Sequence, residues 1–491
     1  MPAPARAPPG DPDGSPPNGE QTLYHAISRW RERLARDSAR NNLALRSTEI
    51  AAAVNRIVFL LLFTRIAEDR GLVAPGTLDK IARAGDPLAG LAAVFGGADP
   101  WAGAGEPAGG TAARADPAIG ASVLQALFAE ASEPGFRPGL LPAGSVSAAV
   151  ARYLGSTIRR SAAHQAIVVA GDRAPGSRGP AAGAVAEYLA ETTLSAAAHR
   201  RSRRELLPLR VIDPACGAGG VLVPAYRRLV AMRAGASPSF AERAEILLDS
   251  VHGADPDPHA VAATRLALLI AAFGGDSAAA LPPGDFPGTA RDILTGLSRT
   301  IVRGDLTVGP EIVHEEGWMF ATPRDRHAIR PLVWREAFPE IAAAGGFDAA
   351  VGDLPEGVVG QKEWLQQYFQ RHYEVYDPDA ERSAYYLERS CGIVRHGGVI
   401  GFCTGDDWLR KTAGLPLRTF LMRKEICRLA DITAKPGDPA SGTCVLVIVN
   451  RTPRVRVNFP AAIVPLPPAG SARDLAALVA REDFPVDPAR L

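Results

Sequence analysis

Cysteine, net charge and long apolar runs are all scarce in this chain. Its five cysteines are scattered, with no CxxC pair and no histidine at metal-ligand spacing, at Cys216, Cys391, Cys403, Cys427 and Cys444. This pattern predicts reduced thiols and no metal site. The formal net charge is +1 and the sequence pI is near 7.7, so no overall basic field indicates nucleic acid, and DNA binding would need local basic patches.

A membrane-spanning run is also missing from the sequence. The longest apolar run, Ile57 to Phe63, is far shorter than the roughly 20 residues that a bilayer requires, so it predicts a buried helix. The first 20 residues lack the apolar segment of a signal peptide and are rich in Pro, Gly and Asp, which predicts a disordered lead. We therefore expect a cytoplasmic protein with no membrane contact.

The 491 residues, of which 47% are hydrophobic, are enough for more than one folding unit. Residues 21–200 have mainly helical patterns and predict a helical N-terminal domain, with a low-complexity loop near 96–119. Residues 201–453 alternate short apolar strands with helical segments, and residues 454–491 predict a short C-terminal extension.

Seven strand candidates define the second region. They are the segments LRVID, SVHGAD, TIVRGD, FDAAVGD, GGVIGFCTG, CRLADI and CVLVIVN. Most are separated by a helix-length segment, which predicts an α/β fold with a mostly parallel sheet. Ligands of such sheets bind at the carboxyl ends of the strands, and four of the seven candidates end in Asp.

The segment LRVIDPACGAGGVLVPAYRRLV carries the strongest motif. A strand ends at Asp213, a glycine-rich turn follows, and a helix opens near Val221. Glycines let the backbone approach a ligand closely, and a helix start offers free N–H groups. A dinucleotide site would place its glycines directly after the strand and an acid about 20 residues later, whereas Asp255 lies well beyond that spacing. A plain tight turn remains the alternative.

The pattern DPACGxGG resembles the S-adenosylmethionine loop of the DNA adenine methyltransferases. The resemblance implies a Rossmann-like methyltransferase fold, S-adenosylmethionine as cofactor, and cofactor contacts from Asp213, Pro214, Ala215, Cys216, Gly217 and Gly219. HGADPDPHAVAATRLALLI resembles the second motif of that family, in which Asp255 would accept hydrogen bonds from the ribose. GDL resembles the third motif, in which Asp305 would meet the adenine amino group.

The similarity extends from about Asn42 to Arg451. AVNRIVFLLLFTRIAEDRGL, YLGSTIRR and AVAEYLAETTL resemble the upstream landmarks of large modification methylases of single-chain restriction-modification and phage-defence systems. The resemblance implies methylation of adenine N6 in double-stranded DNA. It also implies a target-recognition region after the core, but only about forty residues follow the core here. We therefore expect that recognition of a DNA sequence either comes from a specificity or defence-system partner protein or is absent.

The catalytic loop of this family has the form (Asn/Asp)-Pro-Pro-(Tyr/Phe), and by position it corresponds to Asp353, Leu354, Pro355 and Glu356. Asp353 can accept a hydrogen bond from the target amino group, and the Leu354 carbonyl can accept the second. The fourth residue should be an aromatic surface for the extruded base, a contact of about 1–3 kcal/mol that Glu356 does not offer. We therefore keep a catalytically impaired DNA-binding or assembly subunit as the alternative function.

Further segments bear on cofactor and DNA binding. The Tyr-Thr-Pro motif that the family carries before the cofactor loop is replaced here by Arg178, Gly179 and Pro180. The basic run HRRSRRE, residues 199–205, can either neutralise phosphates or form a solvated helix end. Four aromatic residues follow the catalytic loop and could offer stacking surfaces, but core packing of an amphipathic helix is the prediction for Trp364, Tyr368, Phe369 and Tyr373.

Overall fold

The computed structural model describes residues 19–101, 118–160, 166–170, 183–200, 208–233, 238–274, 286–315, 318–319, 321–322, 326, 329–359, 362–433, 442–455, 457–465 and 471–490. Some sequence predictions lie outside these residues. They are the disordered lead up to residue 18, the low-complexity segment 102–117, the replaced motif at residues 178–180 and most of the basic run.

Helices make up most of the N-terminal part and flank the sheet elsewhere. The α-helices are Gly19–Asn41, Ser47–Asp69, Thr77–Ala82, Pro87–Val94, Ala121–Ala131, Ala143–Leu154, Gly183–His199, Leu222–Arg233, Phe240–Ser250, Pro258–Ala272, Phe286–Thr300, Trp334–Ala337, Pro339–Ala343, Glu363–His372, Arg382–Ile393, Asp407–Arg410, Leu415–Leu421 and Ala472–Arg481. Short 3₁₀ helices occur at Pro138–Leu140, Pro310–His314, Thr412–Gly414 and Pro488–Arg490.

The strands form a hairpin and one large sheet. They are β1 Ser156–Arg160, β2 Ala166–Ala170, β3 Val211–Asp213, β4 Val251–Asp255, β5 Ile301–Arg303, β6 Phe347–Asp353, β7 Val394–Gly405, β8 Glu425–Thr433, β9 Gly442–Val449, β10 Phe459–Pro465 and β11 Phe484–Val486. Within the described part of the chain, the large sheet has nine strands in the order β11-β10-β8-β9-β7-β6-β3-β4-β5. All seven predicted strands lie in it, which confirms the predicted α/β class.

Most neighbouring strands of the large sheet are parallel. The exceptions are β9, which is antiparallel to β7 and β8, and β11, which is antiparallel to β10. The strand order reverses at β3, because β4 and β5 follow on one side whereas β6 pairs with the other side. Such a reversal opens a crevice at the carboxyl ends of the central strands, where doubly wound folds bind ligands.

Both faces of the sheet are covered by helices, which explains why its strands are apolar without alternation. Along β7, Val399 and Cys403 belong to one buried cluster, whereas Ile400 and Phe402 belong to the cluster on the other face. The first cluster continues into the N-terminal helices, so these helices and the sheet share one core.

The helix Ser47–Asp69 contains the apolar run that the sequence singled out. By length and composition it is the one helix of the described residues that could cross a membrane, but 78% of its apolar window is buried inside the protein. Phe59, Leu61 and Leu62 are among its fully buried side chains. The prediction of a buried helix is therefore confirmed.

Two details differ from the sequence predictions. The mainly helical pattern predicted for residues 21–200 is interrupted after Leu154, where Ser156–Arg160 pairs with Ala166–Ala170 in a hairpin. In the segment 454–491, predicted only as a short C-terminal extension, β10 and β11 both join the edge of the sheet. The short and partly exposed β11 carries little hydrophobic signal, which explains why its pattern was missed.

Candidate active site

Four neighbouring parallel strands end at or just before an aspartate. In the spatial order β6, β3, β4 and β5, these residues are Asp353, Asp213, Asp255 and Asp305. The sequence predicted these four strand ends separately. The sheet order places them side by side along one edge.

The turn after β3 is held tightly by its neighbours. Gly217 and Gly219 have φ of 52° and 82°, values at which a side chain would strain the backbone. The Gly217 N–H donates to Asp255 Oδ2 at 3.0 Å, and the Gly217 carbonyl accepts from Thr264 Oγ1 at 2.7 Å. The Cys216 N–H donates to the Ala254 carbonyl at 2.9 Å. The turn is thus tied to β4 and its helix.

The outer face of this turn is open. A Cβ atom placed on Gly220 would meet nothing within 4 Å, and one placed on Gly217 would meet only the Ala215 carbonyl, at 4.0 Å. Pro214 and Cys216 are buried, so they lie on the side of the turn that packs against the protein. An open, glycine-lined backbone beside several carboxylates fits a ligand that brings hydroxyl groups and positive charge.

Asp213 lies at the centre of the carboxylate group. Its side chain is buried, and its Oδ1 accepts from the Ala215 N–H at 3.0 Å. Burial raises the pKa of Asp213 well above its usual range, and the nearby charges of Asp255 and Asp353 raise it further. These effects show that the carboxylates of three different strands are close enough to interact.

Asp255 binds backbone on both of its oxygens. Oδ1 accepts from the Asp257 N–H at 2.8 Å, and Oδ2 accepts from Gly217 as described. Burial, with a smaller contribution from the charge of Asp257, raises the pKa of Asp255 to about 7. Asp257 in turn caps the helix Pro258–Ala272 by accepting from the His259 N–H at 2.9 Å. The sequence DPDPH therefore builds both a strand end and a helix start.

Asp305 follows β5 and is fixed by several donors. Its Oδ1 accepts from the Thr307 N–H at 2.9 Å, from Thr307 Oγ1 at 2.6 Å and from the Tyr386 hydroxyl at 3.3 Å. Its backbone pairs with the segment Arg330–Leu332. Sequence reasoning missed Thr264, Thr307 and Tyr386, because nothing local in a helix or loop indicates which distant residue a threonine or tyrosine contacts.

The predicted catalytic loop begins at the end of β6. Gly352 packs directly on Asp213, since a Cβ atom there would lie 2.6 Å from Asp213 Oδ1. The Leu354 side chain is buried, and its N–H donates to the Cys403 carbonyl at 2.9 Å, which extends the pairing with β7 by one residue. The predicted site residues Asp353 and Asp213 are therefore adjacent.

Glu356 lines a cavity of about 250 Å³ together with Glu381, Asp407, Trp408 and Lys411. A Cβ atom on Gly405 would lie 3.4 Å from Glu356 Oε1 and 3.3 Å from Glu381 Oε2, so both carboxylates approach the same point. Burial raises the pKa of Glu381, and the charges of Asp407 and Glu356 add to this effect. Sequence reasoning missed Glu381 and Trp408, which lie in separate segments.

Other candidate side chains have structural roles. Tyr368, Phe369 and Tyr373 are buried, and Trp364 is half-buried against the same core, which confirms the prediction of core packing for the first three and supports it in part for Trp364. Arg200, the described arginine of the basic run, forms an ion pair of 2.7 Å with Glu425. No group of three or more His, Cys, Asp or Glu in the described parts of the chain is arranged to hold a metal ion.

Two family models match this region. Residues 249–436 match the model described as Eco57I restriction-modification methylase, and residues 189–281 match the model described as MmeI, DNA-methyltransferase domain. These ranges contain the glycine turn and all four aspartates.

Known proteins show the same similarity. The chain is 25% identical over 260 residues to an adenine-specific methyltransferase, PglX, of Streptomyces coelicolor; the match covers 49% of this chain and 20% of the relative. The chain thus spans about a fifth of that relative. The solved structure of the type IIL restriction-modification enzyme MmeI in complex with DNA has a TM-score of 0.53 at 12% identity, with coverage of 96% of this chain and 60% of that chain. This likeness shows a common fold.

Proposed function

We propose that this chain methylates adenine N6 in double-stranded DNA, because residues 189–436 match a restriction-modification methylase model and a DNA-methyltransferase domain model, and the chain is similar to an adenine-specific methyltransferase. S-adenosylmethionine is the proposed methyl donor, and a restriction-modification or phage-defence system is the proposed setting. The observation that carries the proposal is the row of Asp353, Asp213, Asp255 and Asp305 along one sheet edge, beside an open glycine turn.

The cofactor would supply a methyl group on a positively charged sulfonium. Gly217 and Gly220 leave room for the cofactor to approach the backbone closely, and Asp255 would accept hydrogen bonds from the ribose hydroxyls of the cofactor. Asp305 would accept from its adenine amino group. The buried carboxylate of Asp213 favours positive charge nearby, because its own ionised form is unfavourable without a cation.

Asp353 and Leu354 would position the target amino group. Asp353 accepts one hydrogen and the Leu354 carbonyl accepts the other, so the nitrogen lone pair is directed at the methyl group, and positioning supplies most of the rate. Leu354 lacks the ring that would restrict its own φ, but Pro355 restricts it from the other side, because a residue before proline favours extended conformations. The acceptor geometry is therefore partly retained.

The DNA contacts of the solved relative suggest double-stranded DNA for this chain, and recognition of a sequence would come from a specificity or defence-system partner protein. Arg200 is engaged by Glu425, so other basic residues would contact the phosphates. We propose a cytoplasmic location, where DNA and cofactor are both available.

The test is methyl transfer from labelled S-adenosylmethionine to mixed-sequence DNA. We expect label in DNA with the wild-type protein, and a loss of at least about 100-fold with Asp353→Ala, since one acceptor of the positioned nitrogen is removed. Asp292→Ala on the exposed face of the helix Phe286–Thr300 is the matched control and should leave the rate unchanged. No label with the wild type, beside an active control methylase, would refute the proposal.

The carboxylates around Glu356 favour one alternative, a catalytically impaired DNA-binding or assembly subunit. Glu356, Glu381 and Asp407 line the cavity where the family places an aromatic ring, and negative charge there opposes a phosphate backbone. This alternative predicts that Asp353→Ala leaves phage defence intact. Calorimetry separates the two functions, because S-adenosylmethionine binding is required only by the enzyme.

A further inference from the structure

Tyrosine hydroxyls hold the loop that follows β5. The Tyr373 hydroxyl donates to the Thr307 carbonyl at 2.5 Å. The Tyr368 hydroxyl accepts from the Gly309 N–H at 2.8 Å and donates to Glu311 at 2.7 Å. These tyrosines lie in or directly after the helix Glu363–His372, so this helix fixes the backbone of the loop.

Tyr386 acts on the same loop in a different way. It lies on the helix Arg382–Ile393, and its hydroxyl reaches the Asp305 side chain rather than the backbone. With the N–H and hydroxyl of Thr307, it is one of three donors that all meet Asp305 Oδ1. Among the described residues, Oδ2 of Asp305 receives no such bond.

This distribution of donors gives the carboxylate two unequal oxygens. A carboxylate oxygen has about two lone-pair sites, so Oδ1 is fully used by Thr307 and Tyr386. Rotation of the carboxylate would break these bonds, and Oδ2 is left as the acceptor for a further donor. A 6-amino group of a purine is such a donor, whereas a 6-oxo group would place its lone pairs against Oδ2.

We propose that Tyr386 is a positioning residue that fixes the Asp305 carboxylate, so that the cofactor site selects a 6-amino purine over a 6-oxo purine. The inference rests on the proposed function, because it takes Asp305 as the residue that meets the adenine of the cofactor.

The surroundings of Tyr386 suit a permanent donor. The side chain is 2% exposed. Burial, followed by the charges of Asp305 and Asp255, raises the pKa of the phenol well above its usual range, so it keeps its proton. Its neighbour Tyr385 has an equally buried ring, but its hydroxyl donates to the Asp377 carbonyl at 3.1 Å, away from the loop. The helix thus offers a matched control.

The experiment measures binding of S-adenosylhomocysteine and its 6-oxo analogue S-inosylhomocysteine by calorimetry. We expect the wild type to prefer the 6-amino ligand by at least about tenfold, the contribution of one well-placed hydrogen bond to a charged group. Tyr386→Phe should weaken the 6-amino ligand about three- to tenfold and leave the 6-oxo ligand within twofold, so the preference shrinks. Tyr385→Phe should change neither ligand.

The variant Tyr373→Phe tests whether Tyr386 acts by positioning the Asp305 carboxylate or only by holding the backbone of the loop, because Tyr373 bonds the loop backbone alone. Loss of the Tyr373 bond loosens the backbone, so both ligands should weaken together and their ratio should stay constant. Asp305→Asn should reduce or reverse the preference, because an amide can donate to a 6-oxo group. Circular dichroism confirms that each variant is folded.

The outcomes separate this inference from the proposed function. If the wild type binds neither ligand, the cofactor site itself fails, and both proposals are overturned. If the wild type binds the two ligands equally, Asp305 does not read the purine and the inference is overturned while cofactor binding stands. A normal preference in Tyr386→Phe, with an altered one in Asp305→Asn, also overturns the role of Tyr386.

Discussion

Replacing Asp255 by Asn should change the pH dependence of stability in a direction that the structure fixes. Burial raises the pKa of Asp255 from 3.8 to about 7. Below pH 4 the carboxyl is protonated in both the folded and unfolded states and has no effect. As the pH rises from 4 to 7, the unfolded chain loses this proton while the folded protein keeps it, so the free energy of unfolding falls, and the loss is complete above pH 7.

The magnitude follows from these two pKa values. Between pH 5 and pH 8 the free energy of unfolding of the wild type should fall by about 2–3 kcal/mol through this one group. We expect the lower figure, because the Asp255 side chain is partly exposed to solvent. The asparagine of Asp255→Asn does not titrate, so the free energy of unfolding of this variant should fall by about 2–3 kcal/mol less than that of the wild type over the same pH range. At pH 5 the variant should be less stable by about 1–3 kcal/mol, because one amide oxygen replaces two oxygens that accept from Gly217 and Asp257.

Urea denaturation at pH 5, 6, 7 and 8 and constant ionic strength gives the required free energies. Asp292→Asn, at an exposed helix position, controls for the loss of a carboxylate as such. Part of the effect should appear through Asp213, whose pKa is raised by the charge of Asp255. Stability curves of wild type and Asp255→Asn that run parallel from pH 5 to pH 8 would refute the reasoning.

Two further predictions concern the catalytic strand and its loop. Gly352→Ala places a Cβ atom 2.6 Å from Asp213 Oδ1 and should lower the unfolding free energy by about 1–3 kcal/mol in thermal denaturation. Gly392→Ala, in a helix with nothing within 4 Å, should instead stabilise by about 0.5–1 kcal/mol, and equal effects of both changes would contradict the close packing. Glu356→Tyr adds a ring to the cavity and should tighten binding of a duplex with a mismatched adenine by about 5- to 100-fold in fluorescence anisotropy. Glu356→Gln removes only the charge, and a gain as large as that of tyrosine would show that repulsion rather than stacking limits binding.

The strands and the aspartates that end them could be predicted from the sequence, because apolar runs ending in Gly-Asp or Asp-Pro are local patterns. Asp213, Asp255 and Asp305 were placed at strand ends by such patterns, and the family resemblance gave their order. Their neighbourhood could not be predicted locally, because the pairing of β6 with β3 joins residues more than a hundred positions apart.

The supporting side chains escaped prediction for a related reason. Tyr386 contacts Asp305 across 81 positions, and Thr264 contacts Gly217 across 47. Thr264 lies in the segment that resembles the second motif, but neither side chain was singled out, since a tyrosine or threonine on a helix most often serves packing. The cavity near Glu356 likewise joins three segments, so its carboxylates become a group only in the folded chain.

The bond from the Leu354 N–H to the Cys403 carbonyl makes Leu354 part of the sheet as well as of the loop. A proline at position 354 has no N–H, so the substitution Leu354→Pro would remove this bond, at a cost of about 1 kcal/mol. Glu356 differs, because its side chain lines a cavity and can be exchanged without disturbing the sheet. The two departures from the family pattern therefore differ in structural cost: an aromatic residue at 356 would enter a cavity, whereas a proline at 354 would remove a hydrogen bond that continues the pairing of β6 with β7.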